Sequence, residues 1–390
     1  LVVDADRASN VDGGVVNVDV QGGQITGGNA GAAGDGIRLE SDGGVPDSFA
    51  VSVGSGATIT GGTSAPRIDR DPNTGIWGSS GASGAAISTE FSALGGTITV
   101  DPGAVIDGAA GGFAIVHGRN DIQDGVTDGA VSVVLAGTAL GDVRLGEGSD
   151  AVEISATGIV TGNIDLGLGD DTLSLEIDPT SGKSSVLGTI SGSGGTDTLV
   201  YQLASGSVVL GDEAAGSGGL SGFEVIVKDG AGALELAFTP TTAPSILAVL
   251  NETLVLRRNF TVEDRGARTG LAFITTSVTG SQVANLTVGN GNDAAVFAAQ
   301  RGMQMQGDTE FTVRALSSAT LGAEGLSGDG GVQIVEVAGL IASAGAIDLR
   351  AGSDVARFVE AGALSGTLLL GAGSDELIFG SVSLPPSGVD

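Results

Sequence analysis

The sequence predicts an all-β chain folded as a single-stranded parallel β-helix (a β-solenoid) with coils of about 20 residues. Three observations predict it. A Gly-x-Gly-x-Asp phrase recurs at a regular spacing, short apolar runs alternate with polar residues, and the composition suits thin stacked layers rather than a globular core. The chain has 390 residues with 70 Gly, 41% hydrophobic but only 3% aromatic residues, and no Cys. Aromatic side chains anchor most globular cores; Val, Ile, Leu and Ala fill narrow layers. Gly without a strict three-residue period excludes collagen. The abundance of Val, Ile and Thr argues for strands and against disorder.

The repeated phrase is apolar-x-apolar-Gly-x-Gly-x-Asp. It occurs at 143–150, 164–171, 286–293 and 368–375, with a variant at 347–354 in which Arg350 replaces the first Gly and a looser form at 194–197. Asp150 and Asp171 are 21 residues apart, as are Asp354 and Asp375, and the 61 residues from Asp293 to Asp354 are close to three such units. A related phrase, Gly-x-x-Ile-x-Gly, surrounds Ile25, Ile59 and Ile106. Each copy is followed by a second apolar pair ending at Ile37, Ile87 and Ile115. The gaps between paired Ile residues are 12, 28 and 9, so the middle unit carries an insertion.

Each unit reads as short strands joined by corners. Runs such as Thr97-Ile-Thr-Val100 and Thr172-Leu-Ser-Leu175 place alternate side chains inward. Gly146, Gly167, Gly289 and Gly371 are expected at equivalent corners, where Gly accepts positive φ, and the Asp that follows is expected to bond nearby backbone amides. Ile25, Ile59, Ile106, Leu173 and Leu377 are expected to point inward. One coil cannot bury both of its stacking faces, so stability requires neighbours. About 15 to 18 coils at ~4.8 Å each would make a rod on the order of 70–85 Å long.

Two stretches break the rhythm. The insertion at 64–80 is polar and holds Trp77, the only Trp; it reads as a covering loop whose Trp plugs an apolar patch, or as a recognition loop. From Phe238 to Gly270 the Gly-Asp phrase is absent, and Pro240, Pro244, Arg257, Arg258, Arg265 and Arg268 occur. The expected organisation is therefore coils over 1–237, an irregular coil or boundary over 238–275, and coils over 276–390.

These phrases resemble those in the passenger domains of autotransporters, the type V secreted proteins of Gram-negative bacteria. The resemblance rests on Leu145-Gly-Glu-Gly-Ser-Asp150, Leu166-Gly-Leu-Gly-Asp-Asp-Thr-Leu173, Gly194-Gly-Thr-Asp-Thr-Leu199 and the Gly-Ala-x-Ile-x-Gly phrases, and it covers about residues 11–235 and 276–380. It implies a right-handed parallel β-helix exposed at the cell surface as an adhesive or structural element, its partners a ligand on a host or neighbouring cell or further copies of itself. It also implies a β-barrel translocator outside this chain, since no amphipathic strands with aromatic girdles follow Leu384. The segment itself is expected not to insert in a membrane.

Chemistry finds few footholds. The net charge is −30, from 46 acidic and 16 basic residues, which argues against nucleic-acid binding. Gly-x-Gly-x-Asp also resembles one nonapeptide of the calcium-binding repeat-in-toxin family, but such sites need tandem copies, and these stand 21 or more residues apart. Asp150 and Asp171 could share a cation; turn capping is the simpler reading. A Ser-His-Asp triad would need His117, the only His, and no nucleophile phrase accompanies it. His117 with Asp121 and Asp124 reads as a polar surface loop rather than a metal cluster. A β-helical polysaccharide lyase or glycosidase is the enzymatic alternative; its carboxylates would come from Asp69 and Asp71 with Arg70, or from Glu252, Glu263 and Asp264 beside the Arg cluster. With one Trp and one Tyr the chain lacks sugar-stacking platforms. No catalytic, cofactor-binding or metal-ligating residue is assigned, no cofactor is expected, and the function expected is non-catalytic.

Overall fold

The computed structural model describes residues 2–4, 15–28, 34–41, 48–62, 68–70, 77–79, 84–91, 95–109, 112–118, 129–180, 186–210, 219–236, 241–242, 244, 246–249, 254–256, 260–262, 275–278, 284–289, 296–299, 302–305 and 308–380. Among these residues every regular element is a β-strand, and no helix occurs. The chain divides into two compact units, residues 1–200 with 212–223, and residues 201–211 with 224–390.

In the first unit the chain cycles through three parallel sheets. One cycle runs Gly96–Val100, Val105–Asp107, Phe113–His117; the next runs Val131–Leu135, Thr138–Leu140, Asp142–Arg144; a third runs Ala151–Ile154, Ile159–Val160, Ile164–Asp165. Each strand pairs in parallel with its counterpart one cycle away. Such register is dictated by which faces are apolar, because slipping by one residue would turn the whole inward set out to water.

The core follows as columns. Val18, Val51, Ile98, Val133, Val152 and Leu173 stand in register across the sheet, all buried. Ile59, Ile106, Ala139 and Val160 form a second column, and Ile37, Ile87, Ile115, Val143, Ile164, Ile190 and Leu220 a third. Each fully buried Ile or Leu contributes about 2–3 kcal/mol. Ile59, Ile106 and Leu173 point inward as the alternation predicted. Ile25 is only half-buried; among the described residues its strand Gly23–Thr26 pairs on one side alone, with Ala57–Thr60.

The second unit is built likewise from parallel strands. One sheet runs Phe260–Val262, Ala284–Val288, Thr309–Val313, Gln333–Val337, Val355–Phe358 and Glu376–Phe379. Its register columns are Leu286, Phe311, Val335, Ala356, Leu377 and Val288, Val313, Val337, Phe358, Phe379, of which Leu286, Phe311, Val335, Ala356, Val288, Val313 and Val337 are buried and Phe379 is exposed. Leu377 departs from expectation. It holds an inward register position but lies in the last strand of this sheet and is 44% exposed. The stretch assigned to an irregular segment contributes the strands Ile246–Val249, Leu254–Leu256 and Phe260–Val262, each paired in parallel.

The polar insertion holds a short antiparallel hairpin, Ile68–Arg70 against Trp77–Ser79, with Arg70 opposite Trp77. The sequence read this stretch as a loop. Between the two runs the sequence Asp71-Pro-Asn-Thr-Gly75 is rich in turn-favouring residues. The side chains of Asp69, Arg70 and Trp77, and all of Asp71, lie outside the described residues.

Candidate functional site

The recurring Asp residues form a repeated polar feature of the described residues. They bond backbone amides as expected, but those of the preceding cycle rather than of their own turns. Asp150 Oδ1 accepts the Val131 N–H at 2.7 Å, Asp171 Oδ1 accepts the Asp150 N–H at 2.7 Å, and Asp197 Oδ1 accepts the Asp171 N–H at 3.0 Å. The same pattern recurs in the second unit, where Asp354 accepts from the Gln333 N–H at 2.9 Å and Asp375 from the Asp354 N–H at 3.1 Å. Each carboxylate therefore ties one cycle to the one before it. Asp150, Asp171, Asp197 and Asp354 are all buried. The buried polar atom and its amide satisfy one another, which is what allows a carboxylate so far inside. Asp293, which follows Gly289, lies outside the described residues.

Own-turn capping does occur, two residues before the corner. Asp165 accepts from the Gly167 N–H and Asp348 from the Arg350 N–H. The corner itself explains the Gly of the phrase. Gly167, Gly289 and Gly371 have φ of +95°, +85° and +95°, and Arg350 takes the same left-handed region at +67°. Gly146 does not, so three of the four expected corners share the conformation. A Cβ at Gly167 would also lie 2.0 Å from the Gly146 carbonyl oxygen of the cycle below.

On the exterior a second set of bonds runs in the opposite direction. Asp142 Oδ1 accepts the Asn163 N–H, Asn163 Oδ1 accepts the Thr189 N–H, and Asp170 Oδ1 accepts the Thr196 N–H, at 2.7 to 2.8 Å. Successive cycles are thus bound by side chains pointing both forward and backward.

Burial shapes the electrostatics of the inner column. Desolvation raises the Asp171 pKa to about 6, helped by the charges of Asp170 and Asp165 and opposed by the Asp150 N–H. Asp354 is raised for the same leading reason, with Asp375 and Asp329 adding and the Gln333 N–H opposing. The second oxygens of Asp171 and Asp354 are buried without a hydrogen-bond partner among the described residues. No group of three or more His, Cys, Asp or Glu among the described residues is arranged to hold a metal ion.

His117 is not in a polar surface loop, as its sequence context suggested. It closes the strand Phe113–His117 and is buried. Its Nε2 is 2.7 Å from the Gly129 carbonyl oxygen and its Nδ1 2.8 Å from Thr89 Oγ1. The Phe49 ring lies 5.8 Å away, centre to centre. A carbonyl only accepts, so Nε2 carries the hydrogen, and in the neutral ring Nδ1 accepts from the Thr89 hydroxyl. Desolvation lowers the His117 pKa, partly offset by the bond to Gly129. The alternation of Phe113-Ala-Ile-Val-His117 carried a sign of this placement, because His117 shares the inward parity of Ile115. Asp121 and Asp124 lie outside the described residues, as do Glu252, Glu263, Asp264, Arg257, Arg258, Arg265 and Arg268.

No protein-family model matches this chain, nor does any curated protein or solved structure.

Proposed function

We propose that the chain is a right-handed, single-stranded parallel β-helix with coils of about 20 residues, serving as a non-catalytic adhesive or structural element on the surface of a Gram-negative bacterium. The observation that carries the architecture is the 21-residue interlock, in which three short strands pass before the chain returns one strand-spacing along, in parallel. Parallel crossovers are right-handed in nearly all proteins, which supports the hand. The surface role is supported by the acidic composition, the absence of Cys, the resemblance of the corner phrases to autotransporter passengers, and the hairpin within the 64–80 insertion.

Solenoid stability comes from the coils, so a binding function would fall to an insertion that the coils carry. Removing residues 64–80 from the cell-displayed protein tests this. The adhesive reading expects attachment to be lost while the far-ultraviolet spectrum of the purified chain stays β-like. Attachment that survives the deletion, together with lost self-association, would establish the structural role instead. Turnover of an acidic or neutral polysaccharide by the purified chain, abolished by Asp71→Ala or Glu263→Ala, would overturn the non-catalytic reading.

A further inference from the structure

We propose that His117 is an acid-released clasp: neutral, it ties the Phe113–His117 strand to Gly129 and to Thr89 one cycle earlier, and protonation loosens that junction. The geometry is that of a staple. His117 ends one strand, and Gly129 stands two residues before the next strand of the neighbouring sheet, Val131–Leu135. One ring therefore holds both ends of the connection between them. The other ring nitrogen meets Thr89, its register neighbour in the strand Ile87–Phe91. Phe49, from Ser48–Val53, covers the ring.

Neutral imidazole suits this setting because one nitrogen donates and the other accepts. A proton added at Nδ1 would face the Thr89 hydroxyl hydrogen and force that buried hydroxyl to turn away. It would also place a full charge where burial already disfavours one. Arg119, Asp121, Asp124 and Asp128, in the connection itself, lie outside the described residues. Arg38 and Arg144 stand in the adjacent register column, through Ser88 and Val116, and Asp150 bonds the Val131 N–H two residues beyond Gly129. None of the hydrogen bonds to the ring comes from a charged side chain. The folded state favours the neutral ring more than the unfolded chain does. The clasp's contribution is therefore present in full above the ordinary His value of 6.5 and is lost as pH falls through the lower folded value.

Because this is the only His, its titration can be followed without overlap. Hydrogen exchange of peptides covering 112–118 and 129–135 at pH 7.0, 5.5 and 4.5, corrected for intrinsic rates, reads the junction. Protection in the native chain is expected to fall about tenfold or more on acidification, while His117→Gln, which keeps a donor and an acceptor but cannot charge, holds its protection. An equal fall in the variant would overturn the proposal. The imidazole resonance of the unmodified chain gives a second test that does not depend on the variant folding: a midpoint at or above 6.5 would rule the clasp out.

Discussion

Replacing Asp171 with Ala should loosen one rung of the interlock in a way that can be measured at a single amide. The Asp150 N–H then loses its 2.7 Å carboxylate partner in a buried position. An unsatisfied buried donor costs about 1–3 kcal/mol. Part of that is returned, since the carboxylate removed is itself poorly solvated, its pKa raised to about 6. The expected net loss at pH 7 is about 1–2 kcal/mol, which corresponds to roughly 5- to 30-fold faster exchange of the Asp150 amide. A local readout is preferable because stacked repeats need not unfold in one step. Asp171→Asn keeps an acceptor oxygen and should cost less. The pH dependence separates the two further. A carboxyl whose folded pKa lies above its unfolded value of 3.8 adds stability that is complete below 3.8 and lost as pH rises through about 6. The native chain should therefore gain protection at this rung between pH 7 and pH 5, and Asp171→Asn should not. Exchange at Asp150 that stays within twofold of native in Asp171→Ala would refute the reasoning.

Other substitutions probe the corners and the columns. Gly167→Ala should destabilise by about 2–4 kcal/mol in chemical denaturation, because its Cβ meets the Gly146 carbonyl, whereas Gly56→Ala, at φ +78° but with nothing within 4 Å, should cost only about 1 kcal/mol. Ile106→Ala should cost about 2–5 kcal/mol and Leu377→Ala, 44% exposed, under about 1 kcal/mol by the same measurement. Tyr201→Phe should be neutral or stabilising by about 1 kcal/mol, since the buried phenol oxygen has no hydrogen-bond partner among the described residues; a clear loss would show that the hydroxyl is bonded.

The 21-residue spacing of Asp150 and Asp171 was enough to predict that their units stack, because a constant period between like corners leaves each on top of the last. The inward set at Ile59, Ile106 and Leu173 followed from alternation alone. What sequence pattern could not show is the direction in which an Asp side chain turns. Capping its own turn and reaching to the cycle below use the same residue at the same corner, and only the burial of the column decides between them. His117 was misread because a polar residue followed by Gly-Arg-Asn-Asp looks like the start of a loop, although its parity with Ile115 points inward. Leu377 shows the complementary limit: parity gives the side of a strand, but burial also needs a neighbour beyond it, and its strand is the last of its sheet among the described residues. The side chains of the Asp69–Asp71 and Glu252–Asp264 sets lie outside the described residues.

The central claim is that successive cycles lie in parallel register one strand-spacing apart. The absence of native Cys makes cross-linking a direct test. Glu153 and Ser174 are register neighbours in adjacent strands and face away from the core. In-register Cα atoms on paired strands are about 4.8 Å apart, within disulfide range, and a residue displaced by two along the strand is about 8 Å away, outside it. Glu153→Cys with Ser174→Cys should form an intrachain disulfide under mild oxidation, and Glu153→Cys with Glu176→Cys should not. Equal cross-linking of both pairs, or none in the first, would contradict the account.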